Sequence, residues 1–460
     1  MGQSLRVWMA DSGKEAGLRR VPDLVDPMAY EVTAVLAQIE DADPGPVHFT
    51  SVKSLDGQAG NFSLLFNAYA SRQSVAAVLG IAADGWVELL ERYLEREQAL
   101  RPPVRVGAAP VQRHVVSGSD VRLDTLPFVR HVEHDGGPYL TPITVSRKPG
   151  DQGHNLSWNR AMYLDRTHMG VHISPRQLWE LHREAENAGR DLPVAMVLGH
   201  HPAFPLASAA RTPLHVDEFS VAGALLGEPL EIVPSLTFGE ELMVPAEAEV
   251  VLEGRLLAGR RAAEGPFGEF MRYLGPQKLS HVLEVDTITW RDDPVVLGVF
   301  TGYADHLNAH VSIHAGHLAA ARAAVPQVQQ VAWFRGGGPT TVVISMRKTA
   351  DGQPMRAAMA VMAPANTIKQ VIVVDDDIDV FDAQQVMWAV STRVRADTDV
   401  AILPNLQGHL LDPSQQGYAS TSGLVIDATW PQGAVRPPTA RVPESAVAAH
   451  PLSAYRMEAI

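Results

Sequence analysis

The sequence predicts a mixed α/β protein of three domains and a tail. Three observations carry that reading. At 460 residues the chain is too long for one ordinary core. It is 46% hydrophobic and 20% charged, the balance of a globular chain rather than a disordered one. Its texture also changes twice, to short β-like runs near residue 112 and to alternating strands and helices near residue 310. The expected units are an N-terminal α/β domain over 1–108, a β-rich domain over 109–305, a layered α/β domain over 306–435 and a tail over 436–460.

In the first unit, residues 29–42 and 84–100 carry apolar residues at helical spacing. Trp86, Leu89, Leu90, Tyr93 and Leu94 form one stripe, and charges fill the rest of that helix. Leu100-Arg101-Pro102-Pro103-Val104 reads as a linker. The middle unit supplies strands at HVVSG, TPITVSR, PVAMVLG, EVVLEGRLL, HVLEVDTITWR and VVLGVF, divided by Gly and Pro, and closes as a barrel or a sandwich. One helix interrupts them, with Ser174 as N-cap, Pro175 at the first position and Gly189 at its end. In the third unit, helix 311–324, strand TTVVISMR, helix MRAAMAVMA, strand KQVIVVDDD and helix DAQQVMWAVSTRV alternate. Apolar strands between amphipathic helices predict a layered sheet.

Composition removes several function classes. With 52 acidic against 38 basic side chains, the formal charge of -14 argues against nucleic acid as a partner. The absence of cysteine excludes disulfides, thiolate catalysis and Cys-ligated metal clusters. No apolar run approaches the ~18 residues of a membrane span, and the amino terminus has no apolar signal core. The expectation is a soluble, cytoplasmic protein with no membrane partner.

Glu264-Gly265-Pro266-Phe267-Gly268-Glu269 sets two carboxylates around a turn between strands. Such a pair can divide acid–base work, one ionised and one donating a proton; the same pattern also describes a solvated hairpin tip. In Asn155-Leu156-Ser157-Trp158-Asn159-Arg160, Asn and Arg five apart offer a carbonyl oxygen to a metal and a guanidinium to a carboxylate or phosphate, or they ornament an edge strand. His306, His310, His314 and His317 repeat at helical spacing, the pattern of a divalent-metal site or of a pocket lining. Asp375-Asp376-Asp377-Ile378-Asp379 reads as a strand end and helix cap before it reads as a cation site.

Together these segments resemble the UbiD family, whose branches include ferulic acid and heteroaromatic acid decarboxylases. The resemblance runs from roughly residue 45 to 430. EGPFGE at 264–269 is its most specific piece, supported in order by NLSWNR at 155–160, PLEIV at 229–233, VPAEAEVVLEG at 244–254, VVDDDIDVFD at 373–382, WAVSTRVR at 388–395 and IDAT at 426–429. It implies a central split β-barrel that binds flavin, a C-terminal domain that dimerises or builds a larger homo-oligomer, and a flavin prenyltransferase as cofactor supplier. It also implies prenylated FMN held through its phosphate by a divalent metal, usually Mn2+, and a monovalent one, usually K+. The activity implied is reversible, non-oxidative decarboxylation of an α,β-unsaturated or (hetero)aromatic acid.

Matched position by position, the resemblance makes Asn155, Gln177 and Glu231 the metal ligands, and it lays the flavin along Asn155, Leu156, Ser157, Trp158, Asn159 and Arg160, with Arg176 toward its phosphate. Arg160 takes the substrate and cofactor contact, Glu264 is its carboxylate partner, and Glu269 is the proton donor. Two positions depart from the family pattern: Gln177 stands where several members have a metal-binding His, and Gly423 where a Lys is common. Polar Asp305, His306 and Asn308, as pocket lining, would favour a heteroaromatic or otherwise polar acid. The other readings are a metal-dependent hydrolase on His306, His310 and His314, and a flavin-binding protein without activity.

Overall fold

A long hairpin organises the middle of the chain. In the computed structural model, which describes residues 2–150, 152–334, 336–415, 419–440 and 442–456, strands Val250–Glu264 and Lys278–Trp290 pair antiparallel from Val250↔Trp290 to Glu264↔Lys278. The ladder slips between Glu253 and Gly254. A Cβ on Gly254 would stand 2.0 Å from the Glu284 carbonyl oxygen, so only glycine allows that close approach.

Around the hairpin, a sheet runs in the order Tyr139–Leu140, Ala161–Tyr163, His168–Val171, Lys278–Trp290, Val250–Glu264, Leu192–Leu198, Ile143–Arg147, His154–Trp158, and His114–Ser117 also pairs with Lys278–Trp290. All its pairings are antiparallel, and its first and last strands do not pair with each other. The sheet is therefore a curled, unclosed barrel. Period-2 alternation divides its side chains between two cores. Val194, Met196, Leu198, Val250 and Leu252 face one with Val47 and Phe49, whereas Ala195, Val197 and Val251 face the other with Phe204 and Phe219.

The expected units interlock. Val295–Leu297, within the stretch assigned to the middle unit, pairs parallel with Ser63–Phe66 and completes the N-terminal sheet of Arg19–Val25, Val47–Val52 and Ser63–Phe66. Val104–Arg105 likewise pairs with Glu231–Ser235, beside Gly239–Pro245.

The C-terminal sheet runs Val328–Trp333, Thr341–Met346, Gln370–Asp375, Ser420–Ala428, Val400–Gln407, parallel in its centre and antiparallel at both edges. Helices Val311–Ala324 and Gln353–Met362 lie on one face, where Val342, Ile344 and Val373 pack with Ala315 and Val361. Helix Ala383–Arg393 lies on the other, where Val343, Ile372 and Val374 meet Val386 and Ala389. Three layers result, as alternating strands and helices predict.

The acidic run is structural. Asp375 accepts from Arg393 at 2.8 Å, Arg436 at 3.0 Å and the Trp430 N–H at 2.9 Å, while Asp382 caps the following helix. Beyond Arg436 the described tail is exposed, and its helix Glu444–Ala449 buries nothing. Among the described residues no helix is long and apolar enough to cross a membrane.

One helix start differs from expectation. The helix begins at Gln177, with Arg176 as N-cap, because the Arg176 N–H closes a tight turn onto the Ser174 carbonyl at 2.7 Å. That shift puts Gln177 on the first helical position, from which its side chain reaches Asn155.

Candidate active site

Glu264 ends the long strand Val250–Glu264 and is completely buried. It accepts from Arg160 Nε at 2.8 Å and Nη2 at 3.3 Å, from the Tyr139 hydroxyl at 3.1 Å and from the Ser280 hydroxyl at 3.1 Å. The remaining Arg160 nitrogen, Nη1, donates to Glu269 Oε1. One guanidinium therefore bridges both carboxylates that the turn displays. The turn is tightly held: the Gly136 N–H donates to the Pro266 carbonyl at 2.7 Å, and the Gly265 N–H donates to the Tyr139 hydroxyl at 3.1 Å. A Cβ on Gly136 would lie 2.0 Å from the Gly265 oxygen. Phe267 supports the cluster from below, 4.9 Å from the Arg160 guanidinium carbon and 4.4 Å from the Tyr139 ring.

The electrostatics follow from burial and charge. Burial opposes ionisation of Arg160, but the charges and hydrogen bonds of Glu269 and Glu264 hold its pKa above the ordinary value. Burial, then the Glu264 charge, keeps the Tyr139 hydroxyl protonated. Burial, then the Arg160 charge, pushes His172 down to about 4, so it stands neutral beside the cluster. Glu264 is enclosed by donors. Glu269 sits at the rim, on a loop closed by its own backbone bonds to Tyr273 and Arg272, and is the more exposed of the two carboxylates.

A second cluster adjoins the other end of the 154–160 segment. Asn155 Nδ2 donates to Glu218 at 3.1 and 3.4 Å and lies 3.4 Å from Gln177 Oε1. Glu218 also accepts from the Leu156 N–H at 2.5 Å, the Thr212 hydroxyl at 3.0 Å and Lys148 Nζ at 3.4 Å. The carboxylate beside Asn155 is thus Glu218, not Glu231. Glu231 begins a strand of the separate three-stranded sheet, pairs with Val104, and donates its N–H to Gln3 Oε1 at 2.9 Å. Burial raises the Glu218 pKa, and the Lys148 charge opposes that rise.

The buried Asn155 Oδ1 has no hydrogen-bond partner. Rotating the amide would bring it toward Gln177 Oε1 and the Glu218 carboxylate, gathering oxygens from three side chains at one place. A hard cation satisfies such a set. Next to it stand two arginines whose guanidiniums have no hydrogen bond or ion pair among the described residues, Arg176 before Gln177 and Arg211 before Thr212. Partial burial and then the Arg211 charge lower the Arg176 pKa, which places the two guanidiniums near each other. Unpaired guanidiniums beside an oxygen-donor cluster fit a phosphate carried on a divalent ion.

The other candidates have structural employment. Leu156 packs in the core, Trp158 donates to the Thr141 carbonyl at 3.1 Å, and Asn159 donates to the His172 carbonyl at 3.0 Å, so Asn155, Ser157 and Arg160 remain for a ligand on that segment. Asp305 accepts from the N–H groups of Tyr69, Phe300 and Asn67 at 2.9, 3.1 and 3.2 Å, and Asn308 donates to the Tyr69 carbonyl at 3.0 Å. Asp305 is completely buried on these bonds, and Asn308 spends its amide N–H₂ on the backbone. His306 faces Phe270 and His310, and its Nδ1 accepts from the Gly302 N–H.

The histidine series is interrupted at His310, where helix Ala304–Ala309 ends and Val311–Ala324 begins. His310 donates to the His306 carbonyl at 2.8 Å, and His314 donates to the Leu307 carbonyl at 3.3 Å, its ring packed against Trp86 and Trp333. Among the described residues no group of three His, Cys, Asp or Glu is placed to hold a metal ion. Gly423 is enclosed: a Cβ there would stand 2.6 Å from both Leu406 and Met362, so apolar side chains fill the space a lysine would need.

Three family models match the chain in order: the 3-octaprenyl-4-hydroxybenzoate carboxy-lyase (UbiD) N-terminal domain over 10–94, the Rift-related domain over 103–304 and the C-terminal domain over 309–428. A phenolic acid decarboxylase of a Streptomyces species is 31% identical over 467 residues, covering 96% of each chain. An anhydromevalonate phosphate decarboxylase of Methanothermobacter thermautotrophicus is 33% identical over 75% of this chain and 80% of its own. Among solved structures, the UbiD-class enzyme HmfF from Pelotomaculum thermopropionicum in complex with FMN superposes with a TM-score of 0.90, at 33% identity over 98% of this chain and 100% of its own. An evolved dimeric form of that enzyme in complex with prFMN gives 0.86 at 33% identity, over 99% and 100% of the two chains.

Proposed function

The chain belongs to the UbiD family of decarboxylases, and from that membership we propose that it removes CO2, reversibly and without net oxidation, from an α,β-unsaturated or (hetero)aromatic carboxylic acid, with prenylated FMN as cofactor and Glu269 as proton donor. The observation that carries this reading is the Arg160 guanidinium shared between buried Glu264 and rim-facing Glu269. The neighbours that hold FMN and prFMN support the choice of flavin.

Asn155, Gln177 and Glu218 would hold a hard divalent ion such as Mn2+, and Arg176 and Arg211 would meet the flavin phosphate. When bound, the prenylated flavin supplies the electron sink that loss of CO2 from an sp² carbon requires. The chain's own residues bind, orient and protonate. Arg160 offers its Nη1 edge to the substrate carboxylate while Nε and Nη2 stay on Glu264, so the guanidinium plane remains fixed as the ligand changes. Glu269, released from Arg160 by the arriving carboxylate, is then free to carry a proton and deliver it where CO2 has left. With Asp305 and Asn308 bonded to backbone, His306 with Phe270 remains as the specificity wall.

Two outcomes test this reading. The chain purified alone should carry little active cofactor, and co-expression with a flavin prenyltransferase should add visible absorption, a flavin-plus-prenyl mass and turnover on a panel of carboxylic acids. Full activity with unmodified FMN would overturn it. Second, Glu218→Ala should weaken Mn2+ binding by about 10–100-fold or more, as removal of a metal-site partner does. Glu231→Ala should leave that affinity unchanged in the same titration. Equal losses would return the ligand role to Glu231.

A further inference from the structure

Lys148 is 1% exposed, one of the largest side chains fully enclosed in the protein. A lysine is almost never buried without a defined partner set, because its ammonium loses its water. Here Nζ donates to the Val216 carbonyl at 2.7 Å and to Glu218 Oε1 at 3.4 Å. The backbone is shaped to allow this. Gly153, whose carbonyl accepts the Lys148 N–H at 2.9 Å, has φ +77°, and a Cβ there would lie 2.3 Å from Asp217 Cγ. Asp217 in turn fixes the helix Glu218–Leu226 by accepting from the His154 and Phe219 N–H groups at 3.0 and 3.1 Å. Carbonyl, carboxylate and ammonium are therefore set by the fold.

We propose that the Lys148 ammonium, beside Glu218, is the chain's own monovalent cation and takes the role that the family resemblance gives to K+. The proposal rests on Glu218 as a ligand of the divalent site. An ammonium nitrogen and a potassium ion carry the same charge and take oxygen ligands at similar distances. A carbonyl oxygen and a carboxylate oxygen around one cation are what either would use. A potassium ion on the same two oxygens would meet Lys148 at contact distance, where like charges repel strongly in a water-poor site. The residues present thus fit the divalent ion and not the monovalent one. The divalent site should accordingly assemble in any monovalent salt.

The test measures Mn2+ binding to the wild-type chain with FMN present, from the free-Mn2+ paramagnetic resonance signal, in potassium, sodium and tetramethylammonium buffers of equal ionic strength. The expected affinities agree in all three. An affinity about ten-fold higher in potassium, or a thermal midpoint that only potassium raises, would overturn the proposal. Lys148→Ala should create the missing requirement, with melting temperature and Mn2+ affinity restored by potassium but not by tetramethylammonium. A folded Lys148→Ala chain indifferent to the salt would also overturn it. If the variant is insoluble, the wild-type comparison decides alone. Absence of Mn2+ binding in every buffer would sink the divalent reading, while the salt dependence of melting in the two chains still judges the lysine.

Discussion

Glu269→Gln should retain the fold and the bound flavin and lose turnover by about 10²–10⁴-fold, the usual worth of a general acid. Gln is nearly isosteric and can still accept from Arg160 Nη1 through its oxygen, but it has no acidic proton to give. The loop should not move, because the Glu269 N–H and carbonyl are held by Tyr273 and Arg272 through backbone bonds that the substitution leaves intact. Flavin content should not move either, since Glu269 lies outside the Asn155–Gln177–Glu218 cluster. The loss should fall on kcat more than KM, since Arg160 still holds the carboxylate. Product formed in D2O should carry deuterium at the new position in wild type, and that incorporation should slow with turnover in the variant. Near-normal turnover of Glu269→Gln would show that another group delivers the proton.

The parts of this site readable in the sequence are those written locally. EGPFGE puts both carboxylates and the turn that presents them into six residues, and the structure brings them to one arginine. Helix Val311–Ala324 and the strands around 341–346 and 370–375 are likewise local patterns, apolar runs bounded by polar turns. Glu218 escaped for a physical reason. Its helix, Glu218–Leu226, is buried on every side and so has no amphipathic period to betray it. The available signal was Asp217, an N-cap, followed by a glutamate opening a wholly apolar run; a charge at the mouth of a fully buried helix needs a partner. Glu231 sits in a clear strand and drew the assignment from the position-by-position match to the family. The pairing of Val295–Leu297 with Ser63–Phe66 spans more than two hundred residues, and no local pattern encodes a partner at that distance.

Glu264 should be the costliest residue of the site to alter, because it affects stability as well as chemistry. Its carboxylate is completely buried and takes four donors, two from Arg160 and one each from Tyr139 and Ser280. Glu264→Gln keeps the shape but aims an amide N–H₂ at donors and leaves Arg160 with Glu269 alone. Breaking a buried pair outright costs about 3–5 kcal/mol, and the loss here should approach the lower end of that range because Glu269 at the rim remains as counterion. The melting midpoint should fall by several degrees, whereas Glu269→Gln should barely change it. Turnover should fall too, because Arg160 loses the two bonds that fix its plane. Arg160→Met added to Glu264→Gln separates the two effects. Removing both charges should recover much of the lost stability, as apolar replacement of buried pairs does, and recover no activity. A double variant as unstable as Glu264→Gln would mean that Tyr139 and Ser280, rather than the arginine, make Glu264 indispensable to the fold. A double variant that turned over substrate would remove Arg160 from the mechanism.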